Sequence, residues 1–98
     1  MPGLWPSNIE MELLRLLVSK GESYGLELVR DSGGTVKRGT VYVTLGRMEE
    51  KGLVESRQEE VTPNYIGIPR RQYRATGLGE RALNAREFAE TSMRGEFA

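Results

Sequence analysis

Arg38, Thr40, Val43, Thr44 and Arg47 are the side chains in this sequence best suited to recognising a specific surface. They lie in or beside the run Gly39 to Val54, whose spacing predicts a helix. Val41, Leu45 and Met48 fall at i, i+4 and i+7 and share one apolar stripe. Thr40, Val43 and Arg47 fall on the opposite side, with Thr44 on its flank. Gly52 is expected to stop the helix in the left-handed conformation that favours glycine. Leu53-Val54 then leaves as a strand. A guanidinium on such a face can donate two parallel hydrogen bonds to guanine, and a valine or threonine methyl can touch a thymine methyl. The pattern suits a helix that reads the DNA major groove. It equally suits an ordinary surface helix of a small α+β domain.

Charge distribution bears on that choice. The 98 residues carry 14 basic and 14 acidic side chains, for a formal net charge of zero. From Ser32 to Met48 there is no acid, while Lys37, Arg38 and Arg47 are basic. From Val61 to Gly79 there is again no acid, while Arg70, Arg71 and Arg74 are basic. A neutral total can conceal one basic face, and phosphates respond to the local face within a Debye length of roughly 8–10 Å. The bland reading is a chance gap in a mixed-charge surface.

Composition excludes several chemistries. There is no cysteine and no histidine, which removes disulfides, thiolate zinc sites, nucleophilic cysteine and histidine acid–base catalysis. The acid pairs Glu49-Glu50 and Glu59-Glu60 are adjacent, not convergent. No nucleophile elbow or phosphate-cradling glycine loop is present, and Asp31-Ser32-Gly33-Gly34 reads more simply as a helix stop. The expectation is a non-enzymatic chain without cofactor or metal. No apolar run approaches the roughly 20 residues of a membrane span, and the N-terminus lacks signal-peptide character, so a cytoplasmic location is expected. The length allows one domain. A domain of this size buries roughly 60–65% of its unfolded surface and gains from a partner.

These residues must be held by a small set of elements. Ser7-Asn8-Ile9-Glu10 is a capping box, so helix one is expected from about Asn8 to Lys20, ending at Gly21. Ile9, Leu13, Leu16 and Leu17 make one stripe on it; Met11, Leu14 and Val18 make another, roughly opposite. The second stripe needs cover, from the same domain or from a second subunit. Ser23 is placed to cap a short helix from Tyr24 to about Asp31, anchored by Leu26 and Val29 with Leu28 further round. The third helix starts near Arg38. Leu53 to Gln58 reads as a strand, Glu59 to Pro69 as a long turn, and Arg70 to Ala75 as the return strand, with Tyr73 and Ala75 facing in. Thr76 caps a last helix from Gly77 to about Met93. Leu78, Ala82, Ala85, Ala89 and Met93 follow a 4-3 spacing, bordered by Phe88, and small residues on such a seam permit close helix–helix approach, as in a dimer. The residues after Arg94 read as a frayed tail. Trp5 reads as a core or interface anchor. The fold expected is α+β and mostly helical: a winged helix-turn-helix of three helices and a two-stranded wing over residues 1–76, then a C-terminal dimerisation helix and tail over 77–98.

The runs Gly21 to Leu28, Arg38 to Tyr42, Arg47 to Val54 and Pro69 to Thr76, in this order and spacing, resemble PadR-type transcriptional regulators. Val43 stands where that family usually carries proline. The resemblance implies a repressor that binds an inverted-repeat operator in double-stranded DNA as a homodimer, joined largely through the C-terminal helix and helix one. It implies interface roles for Met11, Leu14 and Val18 on the first helix and for Leu78, Ala82, Ala85, Phe88, Ala89 and Met93 on the last. A small-molecule effector is left unassigned.

On this reading Arg47 pairs with a base and Thr44 or Val43 touches a thymine methyl, with Arg38 beside them. Lys37, Thr40 and Tyr42 hold phosphates. Ser23 and Tyr24, at the start of the second helix, offer free N–H groups to another phosphate. Arg70 and Arg71 lie on the wing. Tyr42 and Tyr73 each also read as core aromatics. The alternatives are a winged-helix module that binds protein, or a phage or plasmid DNA-binding factor that is not a repressor.

Overall fold

Helix α1 (Asn8–Lys20) begins at the expected capping box. Ser7 Oγ accepts the Glu10 N–H at 3.2 Å, and the Glu10 carboxylate accepts the Ser7 N–H at 3.0 Å. The helix ends at Gly21, whose N–H reaches the Leu17 carbonyl. The chain then forms strand β1 (Ser23–Tyr24), helix α2 (Gly25–Asp31), helix α3 (Val41–Glu50), strands β2 (Val54–Gln58) and β3 (Arg71–Ala75), and helix α4 (Gly77–Met93). This computed structural model describes residues 5–60, 67 and 70–95. Apart from its first two residues and Gly67, the expected turn from Glu59 to Pro69 lies outside them, as does the end of the expected tail.

Sequence periodicity locates the four helices and the hairpin but misses β1. Two residues carry no periodic signal, yet Ser23 pairs with Tyr73 and Tyr24 with Gln72. The result is a three-stranded antiparallel sheet in the order β1-β3-β2. Strands β2 and β3 pair from Val54–Ala75 to Gln58–Arg71. Because Ser23 is a strand residue, it does not cap α2, which starts after Tyr24. Helix α3 starts later than the expected Arg38. The Thr40 and Val41 N–H groups both turn back to the Lys37 carbonyl, at 3.1 and 3.0 Å.

The α3 C-terminus closes as a Schellman motif. Gly52 sits at φ +80°, its N–H donates to the Glu49 carbonyl, and the Leu53 N–H donates to the Met48 carbonyl. Leu53 then carries the chain into the core. There Thr76 knits the α3–β2 corner to α4: its N–H donates to the Leu53 carbonyl at 3.0 Å, its hydroxyl donates to the Gly52 carbonyl at 2.6 Å, and its Oγ1 caps the helix by accepting the Gly79 N–H.

The core joins Met11, Leu13, Leu14 and Leu17 of α1 with Leu28, Val36, Val41, Leu45, Met48, Leu53, Val54, Tyr73 and Leu83. A fully buried aliphatic side chain contributes about 1.5–3 kcal/mol. Both stripes of α1 are buried largely within its own protomer, because α2, α3, β3 and α4 all pack around it. Met11 and Leu14 are therefore core residues with no surface for a second subunit, contrary to the interface role expected for them. On α2 the buried anchor is Leu28; Val29 is half-buried against the core as expected, while Leu26, expected beside it, is exposed. Among the described residues no helix is long and apolar enough to cross a membrane.

Candidate nucleic-acid interface

Helix α3 turns Val41, Leu45 and Met48 into the core and leaves a continuous outer face. Val43 is 60% exposed and Tyr42 50%, and Arg47, Thr40, Arg38 and Lys37 are also exposed. Lys37, Arg38 and Arg47 make no ion pair among the described residues. The approach to this face is thus basic and uncommitted, as the acid-free stretch suggests.

Thr44 does not belong to that face. It is only 8% exposed, and its hydroxyl donates to the Thr40 carbonyl one turn back at 2.9 Å. A flanking position on a helix this closely packed falls on the buried side, so a base contact from Thr44 is ruled out by burial.

The start of α2 also differs from expectation. Ser23 is 2% exposed, and its hydroxyl donates to the Tyr24 carbonyl and to Glu27 Oε1. It has no surface for a phosphate. The Tyr24 N–H donates to Glu27 Oε1 at 3.0 Å. A carboxylate of the chain's own thus occupies the positive end of this seven-residue helix, where an incoming anion was expected. The Tyr24 backbone N–H, foremost among several contacts, holds the Glu27 carboxyl below its ordinary range. Glu27 lies three residues after Tyr24, the spacing of a capping box, and that signal could have found it.

Tyr24 and Tyr42 frame a cleft between α2, α3 and β3, closed on the strand side by Arg70, Arg71 and Tyr73. The Arg70 guanidinium lies 3.9 Å from the centre of the Tyr24 ring, a cation–π stack. The Tyr42 ring covers Gly25. Tyr73 is buried, and burial, the main cause, raises its phenol above the ordinary value. Of the two tyrosines with alternative readings, Tyr73 is the core aromatic and Tyr42 the surface one.

The wing arginines are not free. Arg70 pairs with Glu59 at 3.3 Å. Arg71 donates to Ser56 Oγ at 3.1 Å, and that hydroxyl donates to Glu49. Arg74 pairs with Glu55, and Arg57 with Glu22 through two hydrogen bonds of 3.0 and 3.1 Å. A stretch without acids in sequence is therefore lined with acids in space, supplied by neighbouring strands and helices. These pairs are solvent-exposed and weak, so an anion of higher charge can displace the carboxylates.

Helices α1 and α4 and the N-terminal segment also carry exposed apolar groups. Phe88 is 64% exposed and Met93 88%, and Val18, Leu78 and Trp5 also face solvent. Ala85 is exposed, and Ala82 and Ala89 are half-buried. The inward anchor of α4 is Leu83, which the small-residue seam did not single out. Among the described residues no group of three or more acids is placed to hold a metal ion.

A family model described as "Transcriptional regulator PadR-like family" matches residues 13–85. Among solved structures, a PadR family transcription regulator from Clostridium difficile R20291 is 28% identical, with a TM-score of 0.70 over 92% of this chain and 93% of that one. A PadR family transcriptional regulator from Eggerthella lenta is 27% identical, with a TM-score of 0.73 over 90% of this chain and 76% of that one. PadR of Bacillus subtilis, solved in complex with operator DNA, shares the fold at 20% identity and a TM-score of 0.68, over 80% of this chain and 45% of that one. No curated protein matches the sequence.

Proposed function

The chain belongs to the PadR-like family of transcriptional regulators, and on that premise we propose that it binds an inverted-repeat operator in double-stranded DNA as a homodimer and represses transcription there. The observation that carries this reading is the surface made by the outer face of α3 and the turn before it: exposed, basic at Arg47 on the helix and at Lys37 and Arg38 in the turn, and without a carboxylate partner for those cations among the described residues. Arg47 is the candidate for a bidentate pair with guanine, and Val43 for contact with a thymine methyl. Lys37, Arg38, Thr40 and Tyr42 surround them as phosphate contacts. The side chain of Tyr24, with Arg70 and Arg71 across the cleft, extends the same surface toward the wing.

Residues 1–76 form the DNA-binding part and 77–98 the dimerisation helix with its tail. Val18, Leu78, Ala82, Ala85, Phe88, Ala89 and Met93 supply the interface. An exposed apolar face is costly in water, and one monomer makes too few contacts for tight specific binding; two half-sites about one DNA turn apart provide the rest. Such a protein works in the cytoplasm, where its operator is. The Bacillus subtilis relative, solved on operator DNA, supports the reading.

Sedimentation equilibrium of the chain, alone and with a duplex selected from a random library, tests it at two salt concentrations. A dimer is expected. Its affinity should fall with salt by a slope of about 0.9 in log K against log salt for each phosphate contacted. A monomer indifferent to DNA overturns the proposal and favours a protein-binding module.

A further inference from the structure

Glu10 and Lys51 form an ion pair at 2.8 Å in which the carboxylate is almost wholly buried and the ammonium largely so. It is the most enclosed ion pair among the described residues. The pair joins two helix ends of opposite polarity. Glu10 stands in the first turn of α1, where the peptide dipoles favour an anion, and Lys51 is the C-cap of α3, where they favour a cation. Glu10 Oε1 also accepts the Ser7 N–H, so one oxygen atom serves the N-cap of α1 and the C-terminus of α3 together.

The same turn is gripped from the other side by α4. Arg86 donates to the Pro6 carbonyl and to Asn8 Oδ1, the residues flanking Ser7. The segment 6–10 is therefore a polar junction with α4 on one side and α3 on the other. Apolar packing and the Thr76 hydrogen bonds hold the α3 C-terminus near the start of α4, and this junction adds a second polar tie at the far end of α4's contact with α1. Stability does not account for the buried pair, since well-packed apolar groups in such a place are often as stable or more so. What the pair supplies is a directional contact between helix ends.

We propose that Glu10, Lys51 and Arg86 are positioning residues that fix the angle of α3 against α4, and thereby the half-site spacing that a dimer accepts. The inference rests on the DNA-binding homodimer proposed above. If α4 joins the protomers, any change in the angle between α4 and α3 is doubled across the two-fold axis. Two inserted base pairs move the half-sites apart by about 7 Å, so a rigid junction discriminates against them and a loose one does not.

The test uses the full chain and the library-selected duplex, with derivatives whose half-site separation is changed by one and two base pairs. The double variant Glu10→Gln/Lys51→Met removes both charges, strands neither, and leaves an oxygen for the Ser7 N–H. Arg86→Met cuts the α4 side and leaves the ion pair whole. Melting followed by circular dichroism shows which variants are folded. Wild type is expected to prefer the selected spacing, and each variant to lose roughly 5- to 10-fold of that preference. A merely structural role lowers melting temperature without changing spacing preference. If the double variant does not fold, Arg86→Met decides. A folded variant that keeps the wild-type spacing preference overturns the proposal. A wild-type chain that binds no duplex overturns the DNA-binding reading instead, and the two failures are thereby distinguished.

Discussion

The phenol ring of Tyr42 lies on the backbone of Gly25: a methyl group at position 25 would stand 2.6 Å from Cε1 and 2.8 Å from Cζ of the ring. This contact seats an exposed side chain of α3 on the first residue of α2, and so places the hydroxyl at the mouth of the cleft. Gly25→Ala must push the ring away. The ring is the far end of a flexible, half-exposed side chain and can swing into solvent, so unfolding free energy should change by less than about 1 kcal/mol. If Tyr42 holds a phosphate as proposed, duplex affinity should still fall, because the phenol leaves its seat on Gly25. Urea denaturation and duplex titration read the two effects separately; unchanged affinity removes Tyr42 from the interface.

Gly79 gives the opposite expectation. A Cβ there would stand 2.0 Å from the Leu53 carbonyl oxygen and 3.2 Å from Leu14 Cδ2. The obstacle is backbone, held by the Thr76 N–H, and it cannot rotate away. Gly79→Ala should cost about 3 kcal/mol or more despite alanine's better helix propensity. The urea midpoint measures it, and a variant within about 1 kcal/mol of wild type contradicts the close approach.

Stability should be flat between about pH 6 and 8, since no histidine titrates there. Three carboxyls set the acid edge. Arg57 holds Glu22 below its ordinary range by hydrogen bonding, Lys20 does the same for Asp31, and the Tyr24 N–H for Glu27. A depressed folded pKa contributes stability that is present above the unfolded value and lost as pH falls through the folded one. Buried Tyr73 is shifted upward, so its contribution is present below its unfolded value and lost as pH rises through the alkaline range. Melting temperature against pH should show a plateau with these two shoulders. A step near neutrality has no histidine or cysteine side chain to cause it.

How much of this was legible beforehand depends on the length of the signal. Helices α1 and α4 carry several turns of periodicity and side-chain caps at Ser7 and Thr76, and their limits agree with the sequence reading. The core face of α3 was readable for the same reason. Strand β1 was not, because two residues have no period, and missing it misplaced Ser23. Thr44 failed because a flanking angle on a helical wheel does not say how far the neighbours close over it. The acid-free stretch failed on the wing because sequence distance is not distance in space: Glu59 and Glu55 come from the chain before the turn.

The exposed ring of Phe88 offers a direct test of the α4 interface. Phe88→Glu places a charge on a face that the dimer would desolvate, while the protomer core, anchored through Leu83, is untouched. Sedimentation should shift from dimer toward monomer, and apparent operator affinity should fall at least tenfold, about 1.4 kcal/mol. Helical circular dichroism should persist. A Phe88→Glu chain that remains dimeric moves the interface elsewhere.

Arg47 and Thr44, neighbours on one helix, separate surface from interior as sources of specificity. Arg47 is exposed and Thr44 is not, with its hydroxyl committed to the Thr40 carbonyl. Arg47→Ala should leave the urea midpoint nearly unchanged but weaken operator binding by about 1–3 kcal/mol and relax selectivity at one base pair in each half-site. Thr44→Val keeps the shape and loses the intrahelical hydrogen bond. It should alter stability by about 1 kcal/mol and leave base selectivity as it was. Library selection with each variant compares the preferred sequences directly. If Thr44→Val changes the selected sequence and Arg47→Ala does not, the reading face of α3 is rotated from the one described, and Lys37, Arg38 and Val43 lose their roles with it.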